Sequence, residues 1–371
     1  MLRINQQSDA QAAKNYYGSP AEYYGAGEQE MIGEWFGQGA DRLGLEGGTI
    51  LQHHFARLCD NRHPLTGEQL TARTRKGRRV GYDFNFHVCK SLSILYALTG
   101  DPAILDALRQ AVRETMREME RGVKARVRKR GQFDERTVAN MIVAEFIHFT
   151  ARPVKGVIDP HLHIHVFVPN ACWDHVEKIW KAIDVASIKA DAPEWQAMFL
   201  KLLADRIEKL GYPVVWQGKT WEIAGISRDL VERFSGRTAL INRTADKLGI
   251  TDAHAKDQLG ARTRERKRKD ATMPHLHGQW RERLTDEDRA AIGQAALRRR
   301  HPLPDGRHEG ETGPAWRQAA GGRDTVARIR TQARTAEPGL DAWERERQGF
   351  IRERQRRQAG AARAASPGRG R

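Results

Sequence analysis

Residues 159–168 form an apolar run with a histidine at every second position: His161, His163 and His165. In a β-strand successive side chains point to opposite faces, so the three imidazoles would share one face and the intervening Leu, Ile and Val the other. This two-sided pattern suits a strand whose apolar face packs on a core while its other face carries polar chemistry. The segment therefore predicts a sheet with an imidazole-rich face.

Neighbouring histidines on this face could share a metal ion. Residues two apart on a strand lie roughly 6.6 Å apart, so His161 with His163, or His163 with His165, could hold one ion at about 2.0–2.1 Å from each nitrogen. The outer pair, roughly 13 Å apart, could not. His148 in the apolar segment 143–150 offers a third ligand, because a loop with Pro and Gly would turn that segment back as an antiparallel neighbour. A polar face that is only solvated or internally hydrogen-bonded is the alternative.

A second alternating segment, 80–88, places Asp83 and His87 on one face of another strand. A carboxylate thus lies on the same kind of polar sheet face as the histidines. Helical periodicity follows at 91–98 and 103–121. Antiparallel strands mixed with amphipathic helices predict the α+β class.

Two tyrosine doublets precede these segments, Tyr16-Tyr17 and Tyr23-Tyr24, with a spacing of seven. The sequence SPAE at 19–22 has the form of a capping box with proline at the first helical position, so we expect a helix to begin there. Paired tyrosines on an amphipathic helix usually pack against a core, and packing is the alternative to catalysis here.

The chain is basic, with a formal net charge of +16, and the charge is uneven. Residues 261–371 hold 27 Lys and Arg against 15 Asp and Glu, a surplus of twelve. Beyond residue 297 large apolar residues become rare, and such a composition cannot bury a core. We expect a folded domain over 1–297 and a basic, disordered tail over 298–371. The charge indicates a polyanionic partner such as nucleic acid, and a merely soluble tail is the alternative.

A short basic loop at 73–79 contains Arg75 and Arg78 on either side of a glycine. Such a loop could hold phosphates, although solvated charge explains it equally well.

Cysteine content and hydropathy indicate whether the chain has disulfides, a thiolate zinc site or a membrane-spanning segment. The three cysteines are odd in number and far apart, so neither a disulfide framework nor a thiolate zinc site is indicated. No stretch reaches 18 apolar residues and the N-terminus lacks the apolar core of a signal peptide, so we expect a cytoplasmic protein with no membrane partner.

Taken in order, the motifs resemble a known family. The tyrosine doublets, GEWFGQGA at 33–40, GYDF at 81–84 with Lys90-Ser91 after it, and PHLHIH at 160–165 are similar to the MobF-type conjugative relaxases. These enzymes belong to the histidine-hydrophobe-histidine endonucleases. WEIAGI at 221–226 and FSGR at 234–237 extend the similarity, which covers roughly residues 15–280.

The resemblance implies a central antiparallel sheet flanked by helices, the palm shared with rolling-circle initiators. It also implies site- and strand-specific nicking at an origin of transfer: a tyrosine attacks one phosphodiester, leaving a 5′-phosphotyrosine and a free 3′-hydroxyl. The implied partners are single-stranded DNA at the origin of transfer, with a helicase and a coupling protein in trans.

Carried across by motif, Tyr16 is the first nucleophile and Tyr23 the second, with Tyr17 and Tyr24 as their partners. Lys90 joins Arg75 and Arg78 as a predicted DNA-binding residue.

By the same resemblance His148, His163 and His165 hold one divalent ion, Mg²⁺ or Mn²⁺. His161 stands where the family usually has glutamine, and we predict that it stays outside the site. Asp83 lies near the ion, either as a general base for the tyrosine or as a carboxylate that orients a histidine ligand.

Three other functions compete with this interpretation. A rolling-circle replication initiator uses the same chemistry, but the order of the motifs favours a relaxase. A non-cutting DNA-binding regulator with a vestigial site is disfavoured because both tyrosine doublets and the histidines are present. A metal-dependent hydrolase of small phosphoesters is the third, and covalent capture of an oligonucleotide would separate nicking from the last two.

Overall fold

The computed structural model describes residues 1–17, 29–74, 77–129, 132–265, 268 and 270–300. In chain order its strands are β1 (Leu2–Gln7), β2 (Glu30–Phe36), β3 (Gly81–His87), β4 (Lys124–Lys129), β5 (Gln132–Thr137), β6 (Val143–Thr150), β7 (Pro160–Pro169), β8 (Cys172–Asp174), β9 (Ile179–Lys181), β10 (Ile183–Asp184), β11 (Val214–Gln217) and β12 (Thr220–Ile223).

The helices of the described residues are α1 (Ala10–Tyr17), α2 (Gln38–Arg42), α3 (Gln52–Cys59), α4 (Lys90–Thr99), α5 (Pro102–Arg121), α6 (Ala186–Ala190), α7 (Ala192–Lys209), α8 (Arg228–Arg233), α9 (Gly236–Lys247), α10 (Ala253–Arg262), α11 (Met273–Glu282) and α12 (Asp286–Arg300). None of these helices is long and apolar enough to cross a membrane.

A five-stranded sheet in the order β1-β3-β7-β6-β2 forms the centre of the fold, and each neighbouring pair is antiparallel. Smaller sheets, β10-β4-β5, β11-β12 and β8-β9, lie outside it. The predicted α+β class with a central antiparallel sheet and flanking helices is therefore confirmed.

The two faces of the sheet bury different cores. Residues of β7 such as Ile164 and Val166 pack in the larger core, which also contains the apolar faces of α4, α5 and α7. The opposite face carries Phe167 of β7 in a smaller core with residues of α1 and α3. The odd-numbered histidines of β7 share this second face, because side chains alternate along a strand.

The predicted hairpin is confirmed: β6 spans 143–150, and β7 returns beside it in antiparallel register. Lys155 and Gly156 both have positive φ, 50° and 79°, as the turns that best match the twist of two strands require. Val154 and Val157 flank this turn and exchange two backbone hydrogen bonds of 2.9 and 3.0 Å. Local turn geometry thus sets the two histidine-bearing strands side by side.

Helix α1 was not predicted, although the sequence contains its start signal. The Asp9 carboxylate accepts hydrogen bonds from the backbone N–H groups of Gln11 and Ala12, at 2.8 and 3.0 Å, and so caps the first turn. The helix predicted to begin at Ser19 lies outside the described residues. The last described helix, α12, runs to Arg300, and residues 301–371 also lie outside, so the boundary at 297 stays a prediction.

Gly39 of α2 allows the helix to touch the chain that enters β6. Its N–H donates to the Met141 carbonyl at 2.8 Å, and a β-carbon at this position would lie 2.7 Å from the Met141 carbonyl carbon and oxygen. The backbone of Met141 cannot move aside as a flexible side chain could. The close approach therefore explains a glycine within the GEWFGQGA motif.

We predict that Gly39→Ala lowers the free energy of unfolding by about 1–3 kcal/mol, the usual cost of overpacking. The matched control is Gly278→Ala in α11, where a β-carbon would meet no described heavy atom within 4 Å. That change should raise stability by about 0.5–1 kcal/mol, because alanine favours a helix over glycine. Urea denaturation of the two variants measures the contrast, and equal midpoints would contradict it.

Candidate metal and nucleophile site

Three buried histidines meet on the second face of the sheet. His148 of β6 lies directly opposite His163 of β7, and His165 follows two residues later on the same strand. One possible ligand atom from each lies within 4.8 Å of the other two, and the ring centroids are 4.6–5.1 Å apart. These residues, here called the first triad, are those that the sequence predicted to hold an ion.

Each imidazole of the first triad is oriented through its Nδ1 atom. Nδ1 of His165 lies 3.0 and 3.1 Å from the two carboxylate oxygens of Asp83, and Nδ1 of His148 lies 3.2 Å from Oε1 of Glu30. Nδ1 of His163 lies 2.9 Å from the backbone oxygen of His161. Because carboxylate and carbonyl oxygens accept, Nδ1 carries the proton and Nε2 is the nitrogen that can coordinate a metal.

The donor set fits a divalent ion. Three neutral imidazoles are common metal ligands, and hydrogen bonds to carboxylates or carbonyls are the usual way in which proteins orient them. The buried carboxylate of Asp83 also offsets the charge of a cation.

A hydrogen bond from a nearby residue of β3 holds the carboxylate of Asp83 in place. Nδ2 of Asn85, two residues along β3, donates to Oδ2 of Asp83 at 2.8 Å. Asn85 is also the cross-strand partner of His165. The carboxylate is therefore held by the same strand that pairs with the ligand strand, which favours an orienting role over that of a mobile base.

Tyr16, near the end of α1, reaches this site. Its hydroxyl lies 3.2 Å from Nε2 of His165, and its ring lies parallel to that of His148 with a centroid distance of 6.1 Å. The His165 nitrogen that Tyr16 contacts is thus the one that would coordinate the ion. The predicted first nucleophile is next to the predicted metal ligands.

Tyr17 points into the smaller core. It is 3% exposed, and its ring centroid lies 4.9 Å from that of Phe146, 5.2 Å from Phe167 and 5.7 Å from Phe55. Burial and the nearby Asp83 raise the pKa of its hydroxyl well above the ordinary value. Its ring centroid also lies 5.9 Å from that of His165, and its hydroxyl is within hydrogen-bonding reach of Asp83. Tyr17 therefore packs in the smaller core at the edge of the site, and its role as the partner of Tyr16 stays a prediction.

The hydroxyl of Tyr16 is also hard to ionise without help. Burial, followed by the charge of Asp83, raises the pKa of Tyr16 to about 12, while the cations Arg152 and Arg264 oppose the shift. At neutral pH the side chain is a phenol. A cation in the first triad would favour the phenolate, because an opposite charge stabilises the ionised form.

A second group of imidazoles adjoins the first. His87 of β3 and His161 of β7 lie beside His163, and one possible ligand atom from each of the three lies within 4.8 Å of the others. Burial, with a further contribution from His163, holds the pKa values of His87 and His161 well below the ordinary value. The sequence placed His87 on a polar face but did not predict this grouping.

Two of the predicted DNA-binding residues, Arg78 and Lys90, donate hydrogen bonds to backbone carbonyl groups. Arg78 donates to the carbonyl oxygen of Cys59, and burial lowers the pKa of its guanidinium. Nζ of Lys90 donates to the carbonyl oxygen of Pro160 at 2.8 Å. Arg75, like Tyr23 and Tyr24, lies outside the described residues.

Glu30 contacts the first triad but was not predicted from the sequence. It begins β2 and is the cross-strand partner of His148. The local pattern carried no signal for it, because its role depends on β2 pairing with β6 across more than a hundred residues of chain.

Comparison with known proteins identifies relatives of this fold and site. The family model described as TrwC relaxase matches residues 7–287. Two curated proteins from Escherichia coli, both described as multifunctional conjugation protein TraI, are 31% and 32% identical over 297 and 299 residues. The chain spans 16% of the length of each, and the match covers 77% of this chain.

Solved structures agree with these matches. The conjugative relaxase TrwC in complex with oriT DNA, in metal-free and metal-bound forms, superposes with a TM-score of 0.66 at 25% identity. Each covers 80% of this chain and 99% of the compared chain. A copper-bound form of the same complex gives a TM-score of 0.67.

We predict that Asp83→Asn weakens binding of Mn²⁺ by roughly tenfold to a hundredfold, because the carboxylate that orients His165 is lost. Calorimetric titration of the purified protein measures the affinity. Asp229→Asn, the same chemical change at an exposed position of α8, is the control and should leave it unchanged. Equal affinities in both variants would show that Asp83 does not support the ligand.

Proposed function

The chain belongs to the TrwC relaxase family, and on that premise we propose that it nicks one DNA strand at an origin of transfer and holds the new 5′ end on Tyr16. The solved relatives are complexes with oriT DNA, which supports single-stranded DNA from an origin of transfer as the substrate. Nicking and subsequent strand transfer would start conjugative DNA mobilisation.

One observation carries this proposal: the hydroxyl of Tyr16 lies 3.2 Å from the coordinating nitrogen of His165. The proposed nucleophile and the three proposed metal ligands thus lie together on one sheet face. A regulator with a vestigial site would have no need to keep this geometry.

The proposed reaction replaces one phosphoester bond with another. The Tyr16 oxygen forms a bond to phosphorus as the bond from phosphorus to the 3′ oxygen breaks, and the 3′ oxygen gains a proton in place of the one that the phenol loses. A divalent ion in the first triad supplies Lewis acidity that offsets charge on the phosphate. Because one phosphoester replaces another, the free 3′ end can later attack the phosphotyrosine and restore the strand.

Residues around Tyr16 have separate tasks in this scheme. Asp83 holds His165 through both carboxylate oxygens, so we assign it to orientation. Arg152 and Arg264, whose charges already favour the Tyr16 phenolate, would attract the scissile phosphate. Tyr17 would anchor the helix that carries the nucleophile.

The nature of the ion follows from the ligands. Both Mg²⁺ and Mn²⁺ favour oxygen ligands, but Mn²⁺ is a first-row transition metal and accepts imidazole nitrogen more readily than Mg²⁺ does. Of the two ions predicted from the sequence, Mn²⁺ is therefore the better fit to the first triad.

The remaining parts of the proposal rest on the sequence. We propose that Tyr23, with Tyr24 as its partner, acts after Tyr16, and that Arg75, Arg78 and Lys90 contribute to DNA binding. A helicase and a coupling protein would act in trans, and the reaction would take place in the cytoplasm.

We predict that Tyr16→Phe eliminates the covalent adduct with a scissile oligonucleotide, because only the attacking oxygen is removed. The adduct is measured as a shifted band on a denaturing gel in the presence of Mn²⁺. Folding and affinity for the oligonucleotide should be preserved. An undiminished adduct would rule out Tyr16 as the first nucleophile.

Tyr17→Phe is the matched control for this experiment, since it makes the same change at the adjacent residue. We expect the adduct to form, because the buried ring keeps its packing and its hydroxyl is not the nucleophile. Tyr23→Phe should also form the first adduct. Loss of the adduct in Tyr17→Phe but not in Tyr16→Phe would exchange the two roles.

We predict that deletion of residues 301–371 weakens binding to random single strands and reduces its dependence on salt. This segment holds 15 Lys and Arg against 9 Asp and Glu, and counterion release makes such binding sensitive to salt. Titrations at several salt concentrations measure the slope. Nicking at saturating DNA should persist, and its loss would mean that the segment belongs to the folded domain.

A further inference from the structure

His163 has histidine neighbours on both sides of its strand. His87 of β3 is its direct cross-strand partner, as His148 of β6 is on the other side, and His161 precedes it by two residues on the same face. The rings of His87 and His161 lie 5.1 and 4.6 Å from the ring of His163. The imidazole cluster therefore continues beyond the first triad.

The spacing within this extension is close to that of metal ligands. Nδ1 of His87 and Nε2 of His161 form a hydrogen bond of 3.0 Å, so one of them carries a proton that must move to the other nitrogen of its ring before both can coordinate. Two nitrogens that bind one tetrahedral ion at 2.0–2.1 Å lie about 3.3–3.4 Å from each other, so a small adjustment of the rings would admit an ion. Although burial dominates their electrostatics, both residues keep some surface exposed to solvent, through which an ion could enter.

We propose that His87, His161 and His163 form a second triad, a metal site that overlaps the one beside Tyr16 at His163 and takes a zinc-class ion. This inference concerns metal binding alone and does not depend on the proposed nicking activity.

The surroundings of the second triad determine which ions suit it. Its ligands are neutral imidazoles, and the cations Lys90 and Arg3 lie near enough to act on them electrostatically. An ion must therefore be held by coordination bonds rather than by opposite charge. Zn²⁺, Ni²⁺ and Cu²⁺ bind imidazole strongly, whereas Mg²⁺ and Mn²⁺ depend more on charged oxygen ligands.

The two triads cannot be filled at once. Nδ1 of His163 donates to the backbone oxygen of His161 at 2.9 Å, so Nε2 is the one nitrogen with a lone pair for a metal. That nitrogen can complete the first triad or the second. Zinc in the second triad would thus withdraw a ligand from the site beside Tyr16.

The test is a calorimetric titration of the metal-free full chain with Zn²⁺ in a background that disables the first triad. His148→Ala should still bind one equivalent of Zn²⁺. Adding His161→Gln should weaken this binding by at least about tenfold, since even the loss of a group that orients a ligand costs that much. His87→Gln in the same background should do likewise and is an independent check if one variant fails to fold.

The control is His148→Ala with His275→Gln, which removes an exposed histidine of α11 and should bind Zn²⁺ as His148→Ala does. Equal Zn²⁺ affinity in this control and in the His161→Gln double variant would overturn the second triad. So would the absence of Zn²⁺ binding in folded His148→Ala. Unaltered protein should take up one equivalent, and two equivalents would overturn the sharing of His163.

Discussion

The register of the three central strands is the constraint on which the site depends. β7 pairs with β6 on one side and β3 on the other so that His163 lies opposite both His148 and His87. A slip of one residue would turn every imidazole of β7 toward the larger core. The apolar face prevents this slip, because Ile164 and Val166 are fully buried on the other side and each such side chain contributes about 1.5–3 kcal/mol. The predicted metal ligands are thus positioned by hydrophobic burial on the opposite face of the same strand.

Packing in the smaller core also positions the proposed nucleophile, Tyr16. Consecutive residues of a helix point about 100° apart, so Tyr16 and Tyr17 differ in most of their neighbours, although their rings lie 5.4 and 5.9 Å from that of His165. Tyr17 packs among Phe55, Phe146 and Phe167, and the ring of Tyr16 is thereby directed toward the histidines. Tyr17 is the more deeply buried of the two tyrosines, and its ring holds α1 against the core.

Electrostatics then set the reactivity of the site. Burial makes the Tyr16 phenolate unfavourable, whereas the hydrogen-bonded carboxylates of Asp83 and Glu30 make a cation at the neighbouring imidazoles favourable. Ionisation of Tyr16 and metal binding are therefore coupled, because a cation in the first triad would stabilise the phenolate that burial disfavours. The proposed DNA substrate would add a further requirement for positive charge, which the chain's net charge of +16 could meet.

The sequence by itself determined the strand that carries His161, His163 and His165, the hairpin that brings His148 to it and the face on which they lie. These features are local, since alternation and a tight turn need no distant residue. Tertiary structure alone decided which residues of β2 and β3 face the histidines, so neither Glu30 beside His148 nor His87 beside His163 could be read from spacing. It also decided that Tyr16 reaches the site and Tyr17 the core, because only the packed helix has a direction relative to the sheet.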